Sequence, residues 1–211
     1  MKRYFDVVLA MMLMMGSVVV ASAQKANPAS DFEYDLNSNG TGIFIKRYKG
    51  SAKDVIIPSI IEDFLVVSLS GTFKDNGYIR SVIIPNSVEE IGESAFYKCT
   101  ALTSINIPDS VKDIGKDAFS GCTSLTSVNI PDSVEKIDYN AFFNCTSITS
   151  VTIGKGIKFI GPYAFHNCSS LTTFNIGVQG VSYGYEVFSS CSSLSIKEKK
   201  KIRDFGYTSS F

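Results

Sequence analysis

Residues 52–193 encode a repeat solenoid, mainly short parallel strands and turns. The first sign is a period. Cys99, Cys122, Cys145, Cys168 and Cys191 fall 23 residues apart, and Phe96, Phe119, Phe142, Phe165 and Phe188 keep the same step, as do Ile84, Ile107, Ile130, Ile153 and Ile176. A fixed period of this size marks units that cannot bury their apolar face alone but can when stacked. The second sign is alternation within Leu102 to Ile107, which places Ile105 and Ile107 on one face and Ser104 and Asn106 on the other, as in a half-buried strand. Each turn is expected to contribute one such strand, and stacking in register spaces the strands about 4.8 Å apart. The third sign is how the unit closes. Val111 and Ile114 form a second apolar pair, and Ala118, Phe119 and Cys122 return the chain to the core.

The strand half, L-x-x-I-x-I, matches a leucine-rich repeat. The second half reads I-P-x-S-V-x-x-I-G-x-x-A-F-x-x-C-x-S-L, carried by Ile107-Pro108, Val111, Ile114, Ala118-Phe119 and Cys122, and again 23 residues on. This resembles the BspA-like leucine-rich repeats of secreted and surface proteins from anaerobic bacteria and some protozoa, over residues 55–194. The resemblance implies a curved, right-handed leucine-rich repeat solenoid used for binding or adhesion. It carries over no catalytic residues.

Taken in order, residues 1–23 read as a signal peptide. Lys2 and Arg3 form a basic start, Val7 to Val20 is an apolar run, and Ala21-Ser22-Ala23 is a small-residue cleavage site, so cleavage is expected before Gln24. A membrane anchor is the weaker alternative, because the run is short for a span and Asp6 stands at its start. No Cys follows the run to receive a lipid. The chain carries 20 basic and 20 acidic residues, a balance that speaks against nucleic acid as a partner and gives no attraction to an anionic membrane.

Residues 24–51 are expected to form an N-terminal β cap, a hairpin of Phe32 to Leu36 and Gly42 to Tyr48 around Asn37-Ser38-Asn39-Gly40. A cap is needed because an open terminal repeat exposes core and a strand edge. Residues 52–78 read as a degenerate first repeat of 27 residues without Cys, in which Val55-Ile56-Ile57-Pro58 replaces the strand and Thr72-Phe73 replaces Ala-Phe. Its extra residues are expected at the turn signal Asp75-Asn76-Gly77. Five regular repeats follow over 79–193. The last is expected to be distorted on its second side, with Gly180, Tyr183 and Val187 at the positions of Val111, Ile114 and Ala118.

Residues 194–211 form the C-terminal cap. Ser195-x-x-Glu198 reads as a capping box, and Lys197 to Phe205 as a short helix stopped by Gly206. Lys199, Lys200, Lys201 and Arg203 read as the solvated face of that helix, with a patch for an anionic partner as the alternative.

Little supports catalysis. Five evenly spaced Cys fall on one ladder with parallel Cβ vectors, poor geometry for disulfides, and are expected as buried apolar thiols. His166 is the single His and lacks partners at metal-ligand spacing, so no metal is expected and His166 reads as an ordinary convex-surface residue. No phosphate-cradling glycine pattern occurs, and Gly154-Lys155-Gly156 reads as a tight corner. No cofactor is expected. Asp109-Ser110-Val111 and Asp132-Ser133-Val134 resemble a bacterial O-glycosylation acceptor.

Two surfaces remain as ligand candidates. Outward strand positions form one polar ladder of Ser81, Ser104, Ser127, Ser150 and Thr173 and another of Ile83, Asn106, Asn129, Thr152 and Asn175, suited to a glycan or an extended peptide. Tyr139, Phe143, Phe159, Tyr163 and Tyr185 stand where other repeats carry Glu93, Tyr97, Lys112 or Asp113, and Lys116. Aromatic clusters on a surface usually have a partner. The expectation is an exported, non-catalytic binding or adhesion module for a protein or glycan, monomeric or weakly self-associating. The alternative is a structural or self-associating component of the cell envelope.

Overall fold

The structure, a computed structural model, describes residues 25–211; the signal peptide expected over 1–23 lies outside the described residues. Repeats stack along one axis, and two sides of the stack carry parallel strands. On the first side lie β3 (Asp54–Ile56), β6 (Ser81–Ile83), β8 (Ser104–Ile105), β10 (Ser127–Ile130), β12 (Ser150–Ile153) and β14 (Thr173–Ile176). The period sets their register, with Ser127 opposite Ser150 and Ser150 opposite Thr173.

The second side corrects the expectation of one strand per turn. Each V-x-x-I segment is itself a strand of two residues: β7 (Glu90–Ile91), β9 (Asp113–Ile114), β11 (Lys136–Ile137), β13 (Phe159–Ile160) and β15 (Ser182–Tyr183). With β1 (Phe32–Leu36), β2 (Ile43–Tyr48) and β5 (Phe64–Leu69) they belong to a nine-stranded sheet, larger than either three-stranded sheet on the first side. The Gly after Ile91, Ile114 and Ile160 lets successive turns approach, whereas Asp138 follows Ile137. A Cβ on Gly115 would lie 2.8 Å from the carbonyl carbon of Gly92. Tyr183 keeps the register opposite Ile160, so the last repeat departs from the pattern at Gly180 (φ 80°) while its second side holds.

The third side is a ladder built from turns. Ser94, Phe96 and Lys98 donate their N–H groups to Lys116, Ala118 and Ser120 of the next repeat, and Asp117, Phe119 and Gly121 do the same to Tyr139, Ala141 and Phe143. This works because two positions per repeat are left-handed, among them Ser94, Asp117, Asn140, Tyr163 and Glu186 in one series and Lys98, Gly121, Asn144, Asn167 and Ser190 in the other. Gly, Asn and Asp tolerate that conformation; Ser, Lys, Glu and Tyr adopt it only at a cost.

Inside, Phe73, Phe96, Phe119, Phe142 and Phe165 stack with ring centroids 5.0–5.1 Å apart. Phe174 then enters edge-on at a position held by Val128 and Val151 in earlier repeats, and the Phe165–Phe188 spacing is 5.9 Å. The cysteines line up beside this column. Cys99, Cys122, Cys145, Cys168 and Cys191 donate their thiols to the carbonyls of Phe73, Phe96, Phe119, Phe142 and Phe165 at 3.0–3.3 Å. All five are free and buried.

Burial pushes the Cys99, Cys145 and Cys191 thiols up to about 12 and raises Cys122 and Cys168 in the same direction. The unfolded chain ionises its thiols first, so their contribution to stability is complete below about pH 9 and is lost as pH rises toward the folded values. We expect the thiols to react slowly with an alkylating reagent at neutral pH and all five to react in denaturant. The unfolding midpoint should fall above pH 9, and a Cys122→Ala, Cys145→Ala variant should show a flatter alkaline decline. A disulfide-linked peptide pair from the native protein would contradict this.

Both ends are capped. At the N-terminus β1 and β2 pair antiparallel, and Phe32 and Tyr48 extend the Phe column to Phe73. Their connection is longer than a two-residue turn: Asn37 Oδ1 accepts from the N–H groups of both Thr41 and Gly42. Asn27 closes the β3 edge by exchanging hydrogen bonds with Ile56. The extra residues of the first repeat are not at Asp75-Asn76-Gly77. They form a hairpin of β4 (Ile60–Ile61) with β5, turning at Glu62 and Asp63 with φ of 47° and 67°.

At the C-terminus α1 (Ile196–Asp204) starts at Ser195, whose hydroxyl accepts from Glu198 N–H. The Glu198 carboxylate makes no reciprocal cap. It accepts from Phe174 N–H on β14, while Lys201 Nζ donates to Phe174 O and Asn175 Oδ1. Two side chains of a helix thus satisfy the edge that a further strand would pair. Tyr207 and Phe211 cover Phe188. The basic cluster is therefore largely committed, since Lys199 and Arg203 also lie over the Phe211 ring.

Candidate ligand-binding faces

The first-side ladder is less continuous than its sequence. Its strands split into β3–β6–β8 and β10–β12–β14. At the break Asn106 turns its amide onto its neighbour, with Oδ1 accepting from Ile84 N–H and Nδ2 donating to Ile84 O. Asn175 accepts from Lys201. Ser104 and Ser127 are exposed, Ser81, Ser150 and Thr173 are half-buried, and Ile83 is exposed in the second row. Asn129, Thr152 and Asn175 line an open groove of about 620 Å³ together with Asp109, Asp132 and Lys155. In the adjoining corners Ser110 Oγ donates to Val88 O and Ser133 Oγ is buried. Ser133 thus presents no hydroxyl for modification in the folded chain.

The aromatic face is compact, and it lies on the turn side. Tyr163 meets Tyr139 and Tyr185 edge-on, with centroids at 5.9 and 4.9 Å. Phe143 stacks on His166 at 5.1 Å, and His166 meets Tyr163 edge-on at 5.5 Å. Five rings from three repeats therefore make one contiguous patch. His166 belongs to it and is no ordinary surface residue; its position is that of Phe143 moved by one period. Phe159 does not belong. It sits on β13 between Lys136 and Ser182, and makes no ring contact with the patch among the described residues.

Polar atoms lie within the patch, some exposed and some buried. Tyr185 is 54% exposed, whereas Asn140 Oδ1 and His166 Nδ1 are buried without a protein partner. Asn167 donates to Asn144 at 2.7 Å beside it. Shielding by its neighbours raises the Tyr163 hydroxyl, and Glu186 adds to the shift. Among the described residues no group of three His, Cys, Asp or Glu side chains could hold a metal ion.

The model of the BspA-type leucine-rich repeat region matches residues 69–195 in six copies. The chain belongs to that family. Among solved structures it is similar to a leucine-rich repeat protein of T. pallidum, at 31% identity over 89% of this chain and 99% of that one, with a TM-score of 0.77. It is also similar to a leucine-rich cell surface protein of Faecalibacterium prausnitzii, at 30% identity over 81% of this chain, with a TM-score of 0.69. This chain spans 53% of the latter. No curated protein matches. Neighbours of this BspA-type protein are thus bacterial repeat proteins, one of them named for the cell surface. Among the described residues no helix is long and apolar enough to cross a membrane.

In this stack the residue ahead of each Ala-Phe pair is left-handed. Ser94, Asp117 and Asn140 hold that position in turn, followed by Tyr163 at φ 56° and, ahead of Val187-Phe188, Glu186 at φ 51°. A bulky residue there carries backbone strain that the fold does not require.

Proposed function

We propose that the protein is an exported, non-catalytic binding module that recognises an extracellular protein or glycan through the aromatic face of its solenoid. The observation that carries this reading is Tyr163, held in a strained left-handed conformation at the centre of a partly exposed ring cluster. Rings in such a patch offer large contact area at small entropic cost. Export is supported by the signal segment and by the surface location in a neighbour's name. Among the described residues no acid, base and nucleophile converge, which favours binding over catalysis.

The test separates strain from function. Tyr163→Asn installs the residue that occupies the same position one repeat earlier. It should leave the fold intact or stabilise it by up to about 1 kcal/mol, because Asn tolerates φ above zero. Against a panel of matrix proteins and glycans, Tyr163→Asn and a Tyr139→Ala, Phe143→Ala variant should both lose binding. Unchanged binding would move the site to Ser104, Ser127, Ser150 and Thr173 with the groove at Asn129 and Thr152. Binding to nothing, with oligomers abolished by these same changes, would favour a structural envelope component.

A further inference from the structure

On the turn side, Tyr97, Ser120, Phe143 and His166 stand one period apart in a single column. Phe143 and His166 stack at 5.1 Å, which covers one face of the Phe143 ring. Its other side borders a recess of about 260 Å³ that Tyr97, Ser120 and Gly121 also line. Tyr97 is two repeats from Phe143, and each repeat step is 5.0 Å in the neighbouring column of Phe96, Phe119 and Phe142. The column is therefore short of one ring, at Ser120. That residue is 5% exposed and forms the floor. Gly121, left-handed at φ 75°, stands where the next two repeats carry Asn144 and Asn167, so no side chain fills the space from that position.

The rim of the recess is polar, and its polar groups are unpaired. Thr103, Thr149 and Thr172 each donate a hydroxyl to a carbonyl of the preceding repeat. The hydroxyls of Thr100 and Thr123, which line the recess, make no hydrogen bond among the described residues. Asn144 accepts from Asn167 through Oδ1, and its Nδ2 donates to no group among the described residues. Lys98 Nζ stands 5.1 Å from the centre of the Tyr97 ring and forms no ion pair among the described residues, not even with Asp75 one repeat before it.

We propose that this recess takes one sugar ring of a glycan, stacked on Phe143 in the place of the missing ring. A pyranose presents a face of C–H groups to the aromatic ring and a circumference of hydroxyls to Thr100, Thr123, Asn144 and Lys98. An aromatic side chain from a protein partner would fill the same gap but bury those groups unpaired. The volume lies below the about 300–1,000 Å³ that drug-sized ligands occupy, which suits a single ring. This inference rests on the aromatic face as a binding surface, since Phe143 belongs to both, and it names the ligand class.

Saturation-transfer NMR tests it with the methyl glycosides of glucose, galactose and N-acetylglucosamine, beside N-acetyl-phenylalaninamide. At least one glycoside should take up saturation, strongest on the protons of one ring face, and the amide should not. Ser120→Phe installs a ring where Tyr97, Phe143 and His166 already stand, so it should keep the thermal midpoint of the parent and weaken sugar binding by roughly tenfold or more. Ser120→Ala leaves the recess open and should bind as the parent does. Gly121→Asn, matching Asn144 and Asn167, supplies a second obstruction if Ser120→Phe folds poorly. Glycan binding lost in Tyr163→Asn but kept in Ser120→Phe would overturn the recess and leave the aromatic face standing. Binding lost in Ser120→Phe but kept in Tyr163→Asn would support the recess and overturn the reading centred on Tyr163. A protein that binds no glycoside, or binds the amide in its place, would also overturn the proposal.

Discussion

Replacing Phe142 by Ala should lower the thermal midpoint by roughly 10 °C or more, the largest loss expected from any single change in the stack. The ring is fully buried and stacked at 5.0 Å on Phe119 and 5.1 Å on Phe165. Truncating a buried Phe costs about 3–5 kcal/mol, against a total stability of about 5–15 kcal/mol for a typical domain. Position adds to composition here. A solenoid is held by contacts between neighbouring repeats, so a gap in the middle of the column weakens two interfaces at once. Thermal unfolding followed by circular dichroism should show a lower and broader transition, with Phe142→Leu intermediate. A midpoint within about 2 °C of the parent would mean that the column is not what couples the repeats.

Deleting residues 195–211 should cost more than the helix could contribute by its own propensity. The segment supplies Tyr207 and Phe211 over Phe188, and Ile202, which is fully buried. It also supplies the Glu198 and Lys201 side chains that close the β14 edge. Without it the end of the core and an open strand edge face water together, a combination that drives aggregation. The shortened protein should be largely insoluble or oligomeric, whereas Glu198→Ala alone should remain soluble and lose about 1–3 kcal/mol through the unpaired Phe174 N–H. A shortened protein as monomeric and heat-resistant as the parent would show that the tail is dispensable.

The stack was legible in the sequence because its strongest signals are single residues at a fixed step: Phe, Cys and Ile each repeat every 23 positions. The second sheet was not, since strands of two residues such as Asp113–Ile114 are too short to display alternation. The third ladder depends on left-handed residues. Asp117 and Asn140 hint at them, whereas Tyr163 and Glu186 conceal them. Glu62 and Asp63 misled in the same way, turning a hairpin without the Asn or Gly that usually announces one. In the aromatic face the missed member was His166, although the period alone places it against Phe143. Phe159 was misplaced because its chemistry matched the cluster while its position along the repeat did not.

The aromatic face is tested most directly by oxidative footprinting of the protein with and without a ligand found in the binding panel. Protection should concentrate on Tyr139, Phe143, Tyr163, His166 and Tyr185, while Tyr78 at the far end of the stack, 50% exposed, should be unchanged. Protection confined to the strand ladders, with Tyr163 and Tyr185 oxidised as fast as in the free protein, would contradict the assignment.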